Sequence, residues 1–134
     1  MSDTRTTQEQ MPVAFRWLSA NRLYSFYPWY ILRDKSEIAA IRSIWADDPH
    51  TATFRPFARR DDNAEIAVFL ADPTTGDIGE RVLIVEAHWN RAEGGAAAEA
   101  REFADIWSWL SDAVIPEMSA WAREEQLEIF GGKQ

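Results

Sequence analysis

The side chains that could perform chemistry in this sequence are two histidines and two pairs of adjacent aspartates. His50 and His88 are far apart along the chain, and a histidine beside Trp89 at a strand end usually has a structural role. The pairs Asp47-Asp48 and Asp61-Asp62 supply the carboxylates that acid–base catalysis or a hard cation needs. Each pair stands in a predicted loop beside proline or asparagine, so turn formation is the ordinary interpretation.

Other catalytic patterns are missing from the sequence. There is no cysteine, which excludes a disulfide, a thiolate metal ligand and a thiol nucleophile. The serines fall mostly in predicted helices or at a cap, so none stands in the strained turn of a Ser/His/Asp triad. The glycines lie in turns and in the tail and form no phosphate-binding loop. We therefore expect a protein that is not an enzyme and that uses no cofactor or metal.

The charge of the chain constrains its partners. The net charge is −8, and the acidic excess lies in the second half of the sequence. Such a protein repels the phosphates of DNA and RNA, so we expect no nucleic-acid partner. It attracts basic proteins instead. An acidic surface is also common among soluble bacterial proteins, and this simpler explanation stays open.

The ends and the hydropathy of the chain indicate its location. Residues 1–10 are polar and lack the basic start and apolar block of a signal peptide. No apolar run reaches the roughly 18 residues of a membrane span. We expect a cytoplasmic protein with no membrane contact, in which residues 1–11 form a flexible lead-in, 12–130 a single domain and 131–134 a tail.

The segment 54–89 is the centre of the predicted fold. Residues 64–71 and 81–87 are rich in β-branched and aromatic residues, and the turn residues 75–77 separate them. This pattern predicts two antiparallel strands. The flanking segments have helical spacing and would cover one face of the sheet. The fold class predicted is therefore α+β, a central antiparallel sheet flanked by helices.

Three helical segments are predicted around this centre. Pro12 opens a short helix, in which Ala14, Phe15 and Leu18 fall on one side and Val13 and Trp17 on an adjacent side. A capping box from Asp34 to Glu37 begins a second helix. Its predicted buried stripe consists of Ile38, Ile41, Ile44 and Trp45. Between these two helices Pro28 interrupts an aromatic run, which favours an edge strand or an extended segment.

The third helix is predicted near the C-terminus. Its buried stripe has the spacing i, i+3, i+4, i+7 and consists of Phe103, Ile106, Trp107 and Leu110. Trp109 is off that stripe and is a candidate for surface exposure. Pro116 should kink the helix or end it.

The stretch PFARRDDNAEIAVF at residues 56–69 resembles the SMI1/KNR4 family, also called the SUKH superfamily. Members typically show a Pro-Phe-Ala entry, a charged turn and a following apolar strand. A strand ending near His88-Trp89 and an aromatic closing helix around Trp107 agree in order, so the resemblance covers roughly residues 12–115. Asn21-Arg22 stands where larger members often have a glycine pair, and the loop after Trp89 is rich in alanine, so the shape of the binding cleft is expected to differ.

The resemblance implies an α+β protein-binding module. Many bacterial members are similar to immunity proteins of polymorphic or contact-dependent toxin systems, which neutralise a toxin by occluding it. The net charge of −8 suits a basic toxin such as a nuclease. Acidic turns and exposed aromatics would form the contact surface. The candidate partner-binding residues are Asp47, Asp48, Asp61, Asp62, Trp89 and Trp109.

Two other classes of function stay open. A housekeeping scaffold or regulatory interaction domain would share the fold and the charge but would have no toxin partner. A small hydrolase would need a catalytic group that the residues above do not supply.

Overall fold

The computed structural model describes residues 11–45, 51–86 and 101–129, and side chains up to residue 126. Its centre is an antiparallel sheet in which the six strands of the described residues follow one another in chain order. This confirms the α+β fold with a central antiparallel sheet. The strands are β1 (Ser25–Phe26), β2 (Trp29–Ile31), β3 (Phe54–Arg60), β4 (Glu65–Ala71), β5 (Ile78–Glu86) and β6 (Arg101–Phe103).

Helices lie on both faces of this sheet. One face packs against the first helix and the C-terminal helical segment, and the other packs against the second helix. The expectation that helices cover only one face is therefore wrong. The helical elements are α1 (Val13–Ala20), α2 (Lys35–Trp45), α3 (Ile106–Trp109), a π-helical turn (Leu110–Val114) and α4 (Ile115–Ile129).

The sequence of β4 explains why both faces are covered. Ala67 and Phe69 belong to the hydrophobic cluster on the α1 side, whereas Ile66 and Val68 belong to the cluster on the α2 side. All four side chains are buried. A strand that is apolar on both faces must be covered on both faces, because successive side chains point to opposite sides.

An aromatic cluster fills the core on the α1 side. The rings of Phe57 and Phe69 stack with centroids 4.2 Å apart. Phe15 from α1 meets both rings edge-on, and Trp109 meets Phe57 edge-on at 5.1 Å and Trp29 at 5.3 Å. Offset and edge-to-face contacts of this kind add to the stabilisation from burial. The cluster therefore fixes α1 and α3 against the sheet.

Pro56 marks the place where one edge of the sheet opens. Strand β2 pairs with residues 58–60 of β3 and the N–H of Leu32 donates to the carbonyl of Phe57, so residues 54–56 of β3 have no strand partner on that side among the described residues. The register between β3 and β4 also shifts between Pro56 and Ala58. Proline lacks an N–H donor and is tolerated at an edge or a bulge.

The C-terminal helix starts later than its sequence pattern suggested. Phe103 ends β6, and the carboxylate of Asp105 caps α3 by accepting the backbone N–H of Ser108 at 2.9 Å. Counting the stripe from Phe103 placed Ile106 and Leu110 correctly against the core but misassigned Trp107 and Trp109. Trp109 is fully buried and Trp107 is 48% exposed, which reverses the expected positions of these two residues. The buried positions are Ile106, Trp109, Ala113 and Val114.

Pro116 does not end the helical segment. It lies in the first turn of α4, directly after the π-helical turn. There the N–H of Ile115 donates to the carbonyl of Leu110, five residues earlier. The chain stays helical across a proline because this wider turn lies where the ring would crowd a regular α-helix.

The smaller predictions for α1 and α2 hold in part. Phe15 and Leu18 are buried in α1, as expected. In α2 the carboxylate of Asp34 accepts the N–H and the hydroxyl of Ser36, and the carboxylate of Glu37 binds Arg59 and Tyr30 instead of closing the capping box. Ile44 is 42% exposed and does not belong to the buried stripe.

The two neighbouring tryptophans of α3 give a test of this packing. Trp109→Ala should lower the free energy of unfolding by about 3–5 kcal/mol, because it removes a fully buried indole from the aromatic cluster. Trp107→Ala should lower it by less than about 1 kcal/mol, since half of that side chain is already in water. Urea denaturation followed by circular dichroism measures both values. Equal losses for the two variants would contradict the assigned helix register.

Candidate functional site

The structure places only part of the predicted contact surface. Asp47, Asp48 and Trp89 lie outside the described residues, as do both histidines. Asp61 and Asp62 stand in the turn between β3 and β4. The remaining candidate, Trp109 of α3, is the buried tryptophan described above.

The two turn aspartates have different environments. Arg60 donates two hydrogen bonds of 2.7 Å to the carboxylate of Asp62, and the indole N–H of Trp121 donates a third at 3.1 Å. The side chain of Asp62 is 19% exposed. Asp61 is exposed, and its side chain makes no hydrogen bond or ion pair with any described residue. Of the pair, Asp61 alone is therefore fully available to a partner.

Arg60 is the centre of a charged cluster, which we call the Arg60 network. Besides Asp62, it contacts the carboxylates of Glu65 at 3.4 Å and Glu117 at 3.3 Å. Arg101 contacts the same two glutamates at 3.3 and 3.5 Å. The network joins β3, β4, β6 and α4, so its geometry serves to hold the C-terminal helix against the sheet.

Trp29 connects the Arg60 network to the core. Its indole N–H donates to Glu117 at 2.7 Å, and the guanidinium of Arg60 lies 5.8 Å from the centre of its ring. Because Trp29 is fully buried, this hydrogen bond satisfies a polar atom that would otherwise be costly to bury. The three carboxylates of the network are paired with arginines, which leaves no open ligand set for a cation.

The network changes the ionisation of its members. Hydrogen bonding from Arg60, assisted by the indole of Trp121, lowers the pKa of Asp62. Hydrogen bonding to Asp62 likewise raises the pKa of Arg60. Both shifts favour the charged pair, as expected for charge-assisted bidentate bonds.

A second feature is an exposed aromatic surface on α1 and α3. The rings of Trp17 and Trp107 meet edge-to-face at 6.1 Å, and these residues are 51% and 48% exposed. Val13, one turn before Trp17, is 66% exposed. Together with Ala14 and the exposed Glu80 they line a shallow depression of about 430 Å³. We call these five residues the Trp17 patch.

Sequence reasoning separated two of these five residues from the buried side of their helix. Val13 and Trp17 fall away from the buried side of α1, and their four-residue spacing puts them on one face. Trp107 was assigned to the core because the helical period was counted from Phe103. Asp105 was the available signal, since aspartate is a preferred N-cap residue whose carboxylate accepts a backbone N–H of the first helical turn.

Within residues 11–45, 51–86 and 101–129, no group of three or more His, Cys, Asp or Glu side chains could hold a metal ion. None of the helices in these ranges combines the length and hydrophobicity that crossing a bilayer requires.

Comparison with known proteins adds no relative. No protein-family model matches the sequence, and no curated protein or solved structure matches it. The resemblance to the SMI1/KNR4 family therefore stays a prediction from the residues quoted above.

The lowered pKa of Asp62 predicts a pH-dependent contribution to stability. Because its pKa is lower in the folded state than the ordinary value of about 3.9, the stabilisation is complete above that pH. It is lost as the pH falls through the folded-state pKa. Asp62→Asn should lower the free energy of unfolding by about 1 kcal/mol at pH 7, and the difference from wild type should shrink below about pH 4.

Urea titrations from pH 7 to pH 2 measure this difference. Asp61→Asn is the matched control and should change the free energy of unfolding by less than about 0.5 kcal/mol at pH 7. A deficit in Asp62→Asn that persists unchanged at the lowest pH would show that the carboxylate charge is not its cause.

Proposed function

We propose that this chain is a protein-binding module that neutralises a basic toxin domain of a polymorphic or contact-dependent toxin system by occlusion. The SMI1/KNR4 resemblance suggests this role, and the Trp17 patch is the observation that supports it best. Two half-exposed indoles in mutual contact are unusual on a protein surface unless a partner covers them.

The composition of the patch suits a protein partner. Tryptophan is enriched among the residues that dominate interface energies, and such residues cluster together. The contact between Trp17 and Trp107 restrains both rings before binding. A partner would therefore bury a large apolar area while ordering few side chains.

Charge favours a basic partner. The chain carries a net charge of −8, and the patch itself contains the exposed carboxylate of Glu80. Complementary fields accelerate association with a basic domain and disfavour acidic competitors. The β3–β4 turn with Asp61 lies at the opposite end of β4 from the β4–β5 connection that precedes Glu80. The two acidic positions therefore test two different surfaces.

Binding to a cognate toxin domain tests the patch. The probe is the purified basic C-terminal domain of a large secreted protein encoded beside this gene, inactivated for handling. Trp17→Ala and Trp107→Ala should each weaken binding by at least about 10-fold, because each removes an interface anchor. Isothermal titration calorimetry measures the dissociation constants. Ile44→Ala, an exposed apolar residue on the opposite face of the sheet, is the control and should bind as wild type does.

Charge reversal then locates the surface. Glu80→Lys should slow association and reduce its dependence on salt, whereas Asp61→Lys should have a smaller effect. A dominant effect of Asp61→Lys would instead assign the contact surface to the β3–β4 turn.

Co-expression separates the immunity role from a scaffold role. Cells expressing the active toxin domain should survive when the wild-type chain is present and die when it carries both tryptophan substitutions. Failure of the wild-type chain to protect them, with the toxin domain binding weakly or not at all, would contradict the immunity proposal and favour a general interaction domain.

A further inference from the structure

A groove opens at the sheet edge where β2 stops pairing with β3. Helices α1 and α2 cover opposite faces of the sheet, and residues of both line a space over residues 55–57 of β3. This space has a volume of about 930 Å³. Its apolar lining includes Met11, Phe15 and Phe57, which belong to the core. The groove therefore reaches from the surface to the aromatic cluster.

The rim of the groove is cationic. Five basic side chains and no carboxylate are among the described residues that line it: Arg16, Arg33, Lys35, Arg42 and Arg55. They come from α1, from α2 with the segment before it, and from β3. This local positive charge is opposite in sign to the net charge of the chain, which is −8.

Among the described residues, the carboxylates closest to this rim in sequence, Asp34 and Glu37, are engaged elsewhere. Asp34 accepts the N–H and hydroxyl of Ser36. Glu37 pairs with Arg59 at 2.9 Å and accepts the hydroxyl of Tyr30 at 3.4 Å. Within the part of the chain that the structure describes, no carboxylate forms an ion pair with the five cations of the rim.

Several of these cations are held in place by uncharged groups. Arg16 donates to the carbonyl of Met11 at 3.0 Å, and Arg55 donates to the carbonyls of Ala52 and Phe54 at 3.0 and 3.2 Å. The guanidinium of Arg33 lies 4.1 Å from the centre of the Tyr24 ring. These contacts orient the side chains without neutralising them.

Arg42 and Arg55 face the groove as a like-charged pair. Burial, followed by the positive charge of Arg42, lowers the pKa of Arg55. A guanidinium whose charge is disfavoured by a second guanidinium gains from an anion placed between the two. Their fork of N–H donors matches a carboxylate or a phosphate.

We propose that this groove binds a small amphiphilic anion, with an apolar body against Phe15, Phe57 and Ile38 and an anionic head group at Arg42 and Arg55. The volume lies within the range of small-molecule sites, about 300–1000 Å³. The apolar floor and the charged rim correspond to the two parts of such a ligand. This site is distinct from the Trp17 patch and does not depend on the proposed function.

A small molecule fits these observations better than an acidic peptide. The floor of the groove consists of core side chains, which an unbranched chain or a ring can reach but a peptide backbone would approach with unsatisfied polar groups. The five cations line the same groove, so a single head group can meet more than one of them.

Calorimetric titration with dodecanoate below its micellar concentration tests the proposal. Dodecanoate should bind with one-to-one stoichiometry. Acetate lacks the apolar body, dodecanol lacks the charge, and dodecyltrimethylammonium has the opposite charge. Each of these compounds should bind at least about 10-fold more weakly than dodecanoate. Arg42→Gln combined with Lys35→Gln, both at exposed positions, should weaken dodecanoate binding at least 10-fold.

Two further variants control for folding and location. Arg123→Gln on α4, also exposed, removes the same charge away from the groove and should leave dodecanoate binding unchanged. Ala39→Trp, at an exposed helix position lining the groove, should block it while the circular dichroism spectrum stays that of wild type.

Three outcomes would overturn the proposal. The first is the absence of dodecanoate binding to the wild-type protein, including the case in which an acidic amphipathic peptide binds instead. The second is equal affinity for dodecanol or dodecyltrimethylammonium, which would show that the rim charge does not select the ligand. The third is unchanged affinity in both Arg42→Gln/Lys35→Gln and Ala39→Trp.

Discussion

The packing of Trp109 into the Phe57–Phe69 stack is the interaction on which the rest of the structure depends. These rings come from β3, β4 and α3, and Phe15 adds α1 to the same cluster. Once Trp109 faces inward, Trp107 must face outward, because residues two apart lie on different sides of a helix. The exposed aromatic surface is therefore a geometric consequence of how the core is filled.

A second constraint holds the far end of the C-terminal segment. The Arg60 network ties Glu117 and Trp121 of α4 to β3, β4 and the β3–β4 turn. Such partly exposed ion pairs contribute modestly one by one, but several charges that share partners restrict one another's motion. The π-helical turn between α3 and α4 adjusts the path of the helix so that the core contacts of α3 and the polar contacts of α4 form together.

The sequence predicted the sheet better than the surface. The strands around Ala67 and Val82 were recognisable because β-branched and aromatic residues cluster there between clear turn signals. The sequence of β4 also indicated that both faces of the sheet are covered, because residues Ile66 to Phe69 are all apolar and do not alternate with polar residues. To predict two covered faces, one must also know that helices are available for both, and a local sequence pattern does not contain this information.

The functional surfaces were harder to predict for two physical reasons. When the helical period is counted from the wrong first residue, buried and exposed positions are exchanged, as happened for Trp107 and Trp109. The cationic groove consists of residues from α1, α2 and β3 that are far apart in sequence. Along the sequence, the charges of Arg33 and Lys35 are balanced by the neighbouring Asp34 and Glu37. In the folded protein Asp34 accepts from Ser36 and Glu37 pairs with Arg59, so neither forms an ion pair with the cations of the groove.

Hydroxyl-radical footprinting, read tryptophan by tryptophan by mass spectrometry, tests the central claim most directly. In the free protein Trp17 and Trp107 should be oxidised rapidly while Trp29 and Trp109 are protected, and a bound basic toxin domain should protect Trp17 and Trp107 as well. Faster oxidation of Trp109 than of Trp107 in the free protein, or unchanged oxidation of Trp17 and Trp107 in the complex, would contradict the account.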